Sequence, residues 1–198
     1  MDESTSRLKL SKLNVGRRQL DAALDLWFSD YDPIPVHTLA AAAHEIFADI
    51  CKHRGLPALM FDPALYRPGK AGVARTVLHK HYNFFKHANS DPEAFIDFPT
   101  ELTEGFISMA IAGWRDLGGD RREIDEAFLI NLLMRQPEIH RKDTEEHIQH
   151  LLGIKRLAQI MPHNRREFLK EFIPLYRVAL AQRNSALTCT GPKPQGAR

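Results

Sequence analysis

Apolar residues along this chain recur at intervals of three and four, the spacing that gathers side chains onto one face of an α-helix. The first run, Leu20, Ala23, Leu24, Trp27 and Phe28, follows Asn14, which the pattern offers as a cap, and ends at "SDYDPIP". Before it, "RLKLSKL" reads as a short extended segment. Pro35 suits a first helical turn, so a second helix is expected from Val36 to Arg54, closed by Gly55. A proline-rich connection, "LPALMFDPALYRPGKAG", leads to a third helix over Gly72 to Asn89, stopped by "SDP". A fourth follows "PT", with Leu102, Phe106, Met109, Ala110, Gly113 and Leu117 on one face and Gly118 and Gly119 at its end.

Two capping-box spacings, Asp120 before Glu123 and Asp143 before Glu146, open a fifth and a sixth helix. The seventh, "NRREFLKEFIPLYRVALAQR", holds Pro174, which is expected to kink or break it because proline lacks the amide donor and crowds the preceding turn. No period-two run of strand length occurs. The pattern therefore predicts an all-α fold, a compact bundle of about seven helices forming a single domain over 1–183, with a disordered tail over 184–198.

The second and third helices carry the residues with chemistry. In the second, Val36, Leu39, Ala43, Ile46, Phe47 and Ile50 make one large apolar face, while His37, Ala41, His44, Ala48 and Cys51 make a second stripe of small and polar residues. A helix apolar on two faces is buried nearly all round, and the small stripe lets another helix approach closely. On the third, Arg75, His79, Asn83, Lys86, His87 and Ser90 fall within an arc of about 120° at 100° per residue. Ala74, Val77, Leu78, Phe84, Phe85 and Ala88 lie opposite, with Tyr82 at the border. His81 lands on that apolar face, so it reads as a core histidine with one ring nitrogen hydrogen-bonded.

The interval from Ala71 to Asn89 contains no Asp or Glu. A basic stripe without acids wants an anion, either a ligand or a carboxylate from another helix. Arg75 and Lys86 supply charge, and the imidazoles of His79 and His87 supply groups of a type that exchanges protons near neutral pH. If the second helix packs on the third, His37 and His44 come to face Asn83 and His87. The candidate ligand site is thus Arg75, His79, Asn83, Lys86 and His87 with His37 and His44, and no catalytic residue is assigned.

Composition narrows the classes without choosing among them. The 198 residues are 43% hydrophobic and 26% charged, with formal charge +2 and pI near 8.6, too mild a balance for wholesale nucleic-acid binding. Only two cysteines occur, Cys51 in an apolar pattern and Cys189 in a polar one, which excludes a disulfide framework and fits a reducing cytoplasm. Neither a signal-peptide run nor a membrane-span window is present, so no membrane partner is expected. The ten histidines follow no metal rule: HExxH, paired CxxC and Glu-x-x-His spacings are all missing. His147 and His150 share a helical face that reads as solvated. No metal and no cofactor are assigned.

The blocks "VHTLAAAAHEI" and "YNFFKHANSDP" resemble a family of uncharacterised bacterial proteins, in which an Ala-rich His-Thr-Leu helix precedes an Asn-Phe-Phe-Lys-His segment. The resemblance spans Val15 to about Glu138 and implies a helical, cytoplasmic protein and no particular reaction. A second similarity is to the HEPN superfamily, whose hallmark is Arg, four to six residues, then His. Arg75 with His81 fits it, as do Arg135 with His140, Arg141 with His147 and Arg156 with His163. That similarity implies a metal-independent ribonuclease in which Arg75 steadies the scissile phosphate and a histidine moves the 2′-hydroxyl proton, across a dimer groove. Three functions therefore stand as expectations: a protein with an anion-binding or buried polar stripe, a HEPN-like ribonuclease, and an interaction module acting as a homodimer.

Overall fold

In the computed structural model the described residues are 7–56, 71–89, 91–135 and 163–189. Their regular structure is helical, with no strand among them, and six helices are described: α1 (Lys12–Phe28), α2 (Pro33–His53), α3 (Ala71–Lys86), α4 (Glu101–Asp116), α5 (Glu123–Arg135) and α6 (Arg165–Cys189). The helix expected from Asp143 lies outside the described residues, as do His147 and His150.

Local chemistry fixes the helix ends, in places differently from the sequence expectation. Ser11, rather than Asn14, caps α1: its hydroxyl accepts from the Asn14 amide at 3.1 Å and donates to Asn14 Oδ1 at 2.9 Å. Residues 7–11 form no strand. Asp32 Oδ1 accepts from the Ile34 amide at 2.8 Å, so α2 starts three residues early, with Pro33 in its first turn. The third helix ends at Lys86, short of Asn89. Gly118, at φ +81°, closes α4 as expected. Asp120 does not cap α5, which begins at Glu123; its carbonyl instead accepts the Trp114 indole N–H at 3.0 Å.

The chain divides into two compact units, 1–121 and 122–198. In the second, α5 buries Phe128 and α6 buries Phe168 and Phe172, and Arg177 grips Glu123 through two 2.6 Å bonds. Asn164 caps α6, its Oδ1 accepting from the Glu167 amide at 3.0 Å while its Nδ2 donates to Glu167 Oε2 at 3.0 Å. Pro174 does not break α6, which runs on to Cys189, so residues 184–189 expected in the tail are helical. Residues 190–198 lie outside the described residues.

In the first unit α2 is the central element. Its contacts rise in number with those of α4, His37 meeting Thr103, His44 meeting Phe106 and Cys51 meeting Gly113, so the two run parallel. Against α1 and α3 the order reverses: Gly16 of α1 lies against Phe47, while Phe85 and His81 of α3 flank His37. The small stripe proves the deeper face. His37, Ala41, His44, Ala48 and Cys51 are all buried, whereas Leu39, Ile46 and Ile50 of the large-residue face are half-buried. The helix that approaches along this stripe is α4, and α4 turns Thr103, Glu104, Ile107 and Ile111 inward together with Phe106.

Phe47 is the wedge of this core. It is fully buried, and a Cβ at Gly16 would stand 2.7 Å from its Cε1, while one at Gly113 would stand 3.0 Å from its Cβ. Gly16→Ala is therefore expected to lower stability by about 1–2 kcal/mol, because overpacking outweighs the helical preference of alanine. Gly105, exposed on α4 with open space around it, reverses the sign. Gly105→Ala should raise stability by about 0.5–1 kcal/mol. Urea titrations of the two variants check both, and equal signs would contradict this packing. No helix of the described residues is long and apolar enough to cross a membrane.

Candidate functional site

Between α2, α3 and α4 lies a cluster of imidazoles and phenyl rings. His37 is fully buried, with Phe98, Phe106 and Phe85 edge-on at centroid distances of 4.9, 5.0 and 5.7 Å, and its Nδ1 is 3.4 Å from Thr103 Oγ1. His44, two helical turns along, packs edge-on against Phe106 at 5.7 Å. Burial pushes both imidazoles down, to about 4, and each has a neighbouring histidine that adds to the shift: His81 beside His37, His79 beside His44.

The histidines of α2 and α3 therefore do meet, but in pairs other than those expected. His37 is near His81 and His44 near His79; Asn83 and His87 are exposed. His81 is a core histidine, as its place on the apolar face implies. Its Nε2 lies 3.0 Å from the Asp97 carbonyl, and since a carbonyl only accepts, Nε2 carries the proton.

The α3 stripe splits into residues with different partners. His79 turns inward, and its Nδ1 lies 2.8 Å from Glu45 Oε1, so the anion it finds is an internal carboxylate. A carboxylate on Nδ1 orients an imidazole much as in hydrolase triads, but His79 Nε2 is buried, so the pair holds α3 to α2 and offers no accessible base. Lys86 folds over Tyr82, its Nζ 3.4 Å from the ring centroid. The Arg75 side chain and Ser90 lie outside the described residues.

Asn83 and His87 instead line an open groove of about 570 Å³, together with Lys80, Phe84, Asn89, Asp91, Ala94, Phe95 and Ile96. One wall is α3, where residues 80, 83, 84 and 87 share a face at helical spacing. The other is the irregular segment after α3, whose Phe95 is 99% exposed. Sequence reasoning missed Lys80, Phe84 and Phe95 as site residues. The 80/83/84/87 spacing was the available signal; Phe84 read as core because the wheel shows only periodicity.

The groove supplies a cation in Lys80, amide donors in Asn83 and Asn89, an imidazole in His87 and an apolar surface in Phe84, Phe95 and Ile96. Its volume falls in the range of small-molecule sites. Asp91 puts a carboxylate on the same lining, which disfavours polyanions and leaves a monoanion with an apolar body as the best electrostatic match. No protein-family model, curated protein or solved structure matches the chain.

Proposed function

We propose that this chain is a helical protein that binds a small organic anion, an aromatic or otherwise apolar monoanion, in the groove beside the C-terminal half of α3. The observation that carries this is the meeting of Lys80, Asn83 and His87 with the exposed Phe95 in one 570 Å³ groove. The anionic group pairs with Lys80 and His87, and the apolar body lies on Phe95 and Phe84. The buried histidines stand behind the site as framework. Residues Asn83 and His87 of the stripe belong to the binding surface; His79, His37 and His44 organise the interior.

A thermal-shift comparison tests it. Benzoate, phenylacetate and benzenesulfonate should each raise the melting temperature of the wild type. Inorganic phosphate and benzyl alcohol, which lack the ring and the charge respectively, should do so far less. Lys80→Ala should weaken binding by about tenfold, the loss of roughly 1.4 kcal/mol expected for one charge-assisted contact. No shift with any aromatic anion would remove the proposal. In EDTA with mixed RNA, cleavage that disappears in His87→Ala would replace it by the HEPN-like ribonuclease reading; His81, buried and committed to the Asp97 carbonyl, is poorly placed for that role. A dimer dissociated by Phe95→Ala would replace it by the homodimeric module.

A further inference from the structure

The groove has one regular wall and one irregular wall, and the irregular one must be held in place by something other than its own backbone. Residues 91–100 contain no helix or strand. Their described internal backbone bond, Ala94 N–H to the Asp91 carbonyl at 3.0 Å, ties a local turn and nothing across the protein. Among the described residues, two neighbours in sequence, Asp97 and Phe98, attach the segment to the interior. The Asp97 carbonyl accepts from His81 Nε2 at 3.0 Å, and the Phe98 ring packs among His37, Phe85 and His81 at 4.9, 5.0 and 5.5 Å. Phe95 and Ile96, the groove's apolar wall, immediately precede them.

His81 is a costly choice for a purely packing role. With the proton on Nε2, its Nδ1 is a bare acceptor, buried and without a hydrogen-bond partner among the described residues. Leaving such an atom unmet costs free energy that leucine or phenylalanine at the same place would avoid. What the imidazole adds over an apolar side chain is the Nε2–H bond to the Asp97 carbonyl. It is made from the residue next to Lys80, about 100° further round the same helix, so α3 supplies one wall of the groove with one face and tethers the other wall from the adjoining, buried face.

We propose that His81 is the positioning residue of the groove: from inside the protein its Nε2–H bond to the Asp97 carbonyl holds Phe95 and Ile96 opposite Lys80 and His87, and so sets the affinity for the anion. This rests on the groove being the binding site, but the tether can be read without a ligand. Glutamine carries an amide nitrogen at about the position of Nε2 and preserves the donor; leucine removes it and leaves an apolar core.

Amide hydrogen exchange across residues 94–98 should speed up about tenfold or more in His81→Leu and stay near the wild-type rate in His81→Gln. Phenylacetate affinity should fall about tenfold in the leucine variant and recover in the glutamine variant, though neither residue touches the ligand. Wild-type exchange in His81→Leu, or equally raised exchange in both variants, would overturn the tether. If His81→Leu does not fold, His81→Phe supplies the same comparison. Wild-type protein that binds no aromatic anion would defeat the groove reading alone, and the exchange rates would still decide the role of His81.

Discussion

Acidification from about pH 7 to pH 4 is expected to remove a substantial part of the stability of the first unit, with the loss beginning near pH 6.5. His37 and His44 are buried between α2, α3 and α4, and burial, reinforced by His81 and His79 respectively, pushes each down from 6.5 to about 4. In the unfolded chain both imidazoles take up protons near 6.5; in the folded one they resist to about 4. The unfolded state therefore binds more protons throughout that window, and stability falls as the pH drops through it. Above about 6.5 their contribution is complete, and below about 4 they have nothing further to lose. Each shift is worth on the order of 2 kcal/mol after screening, so together they make up a substantial share of the stability of an ordinary domain. Urea midpoints measured from pH 7.5 to 4 check it. Carboxylates titrate at the acid end too, so the decisive comparison is with His37→Leu/His44→Leu, whose stability should be much flatter between pH 6.5 and 5. A double variant as pH-sensitive as the wild type would show that these two imidazoles do not govern acid lability.

The second large effect belongs to Phe47. It fills the space between α2 and the backbones of α1 at Gly16 and α4 at Gly113, and its ring lies 5.8 Å from that of Trp114. Phe47→Ala should cost about 3–5 kcal/mol, the range for losing a fully buried phenylalanine. The same geometry makes the two sites interdependent. In a Phe47→Ala background the Cβ of Gly16→Ala has lost its closest contact and keeps only Ile46 Cγ2 at 3.1 Å, so the penalty at position 16 should shrink markedly. Additive penalties in that double-mutant cycle would mean that Phe47 does not set the α1 to α2 approach.

What was legible in the sequence was periodicity, and what escaped it was partnership. The helices of the first unit and the burial of the His37, Ala41, His44, Ala48 and Cys51 stripe follow from spacing alone. The wheel also separated His81 from the polar stripe of α3, and His81 is indeed buried. It could not show that Glu45, on another helix, draws His79 inward, nor that Tyr82 takes Lys86. With those residues engaged, the exposed chemistry of α3 rotates toward Lys80, Asn83, Phe84 and His87. The second wall was harder still to find, because residues 91–100 have no periodicity and their placement depends on one carbonyl and one ring, Asp97 and Phe98. Asp120 failed as a cap for a similar reason: the Trp114 indole claims its carbonyl, a contact that no local rule contains.

Binding of an aromatic monoanion in the groove can be followed residue by residue by titrating the labelled full chain with phenylacetate and recording its backbone amides by NMR. Saturable shifts concentrated at Lys80, Asn83, His87, Asn89 and Phe95, weakened about tenfold in Lys80→Ala, are the expected result. Shifts that do not saturate, that gather elsewhere, or that survive unchanged in Lys80→Ala would contradict it.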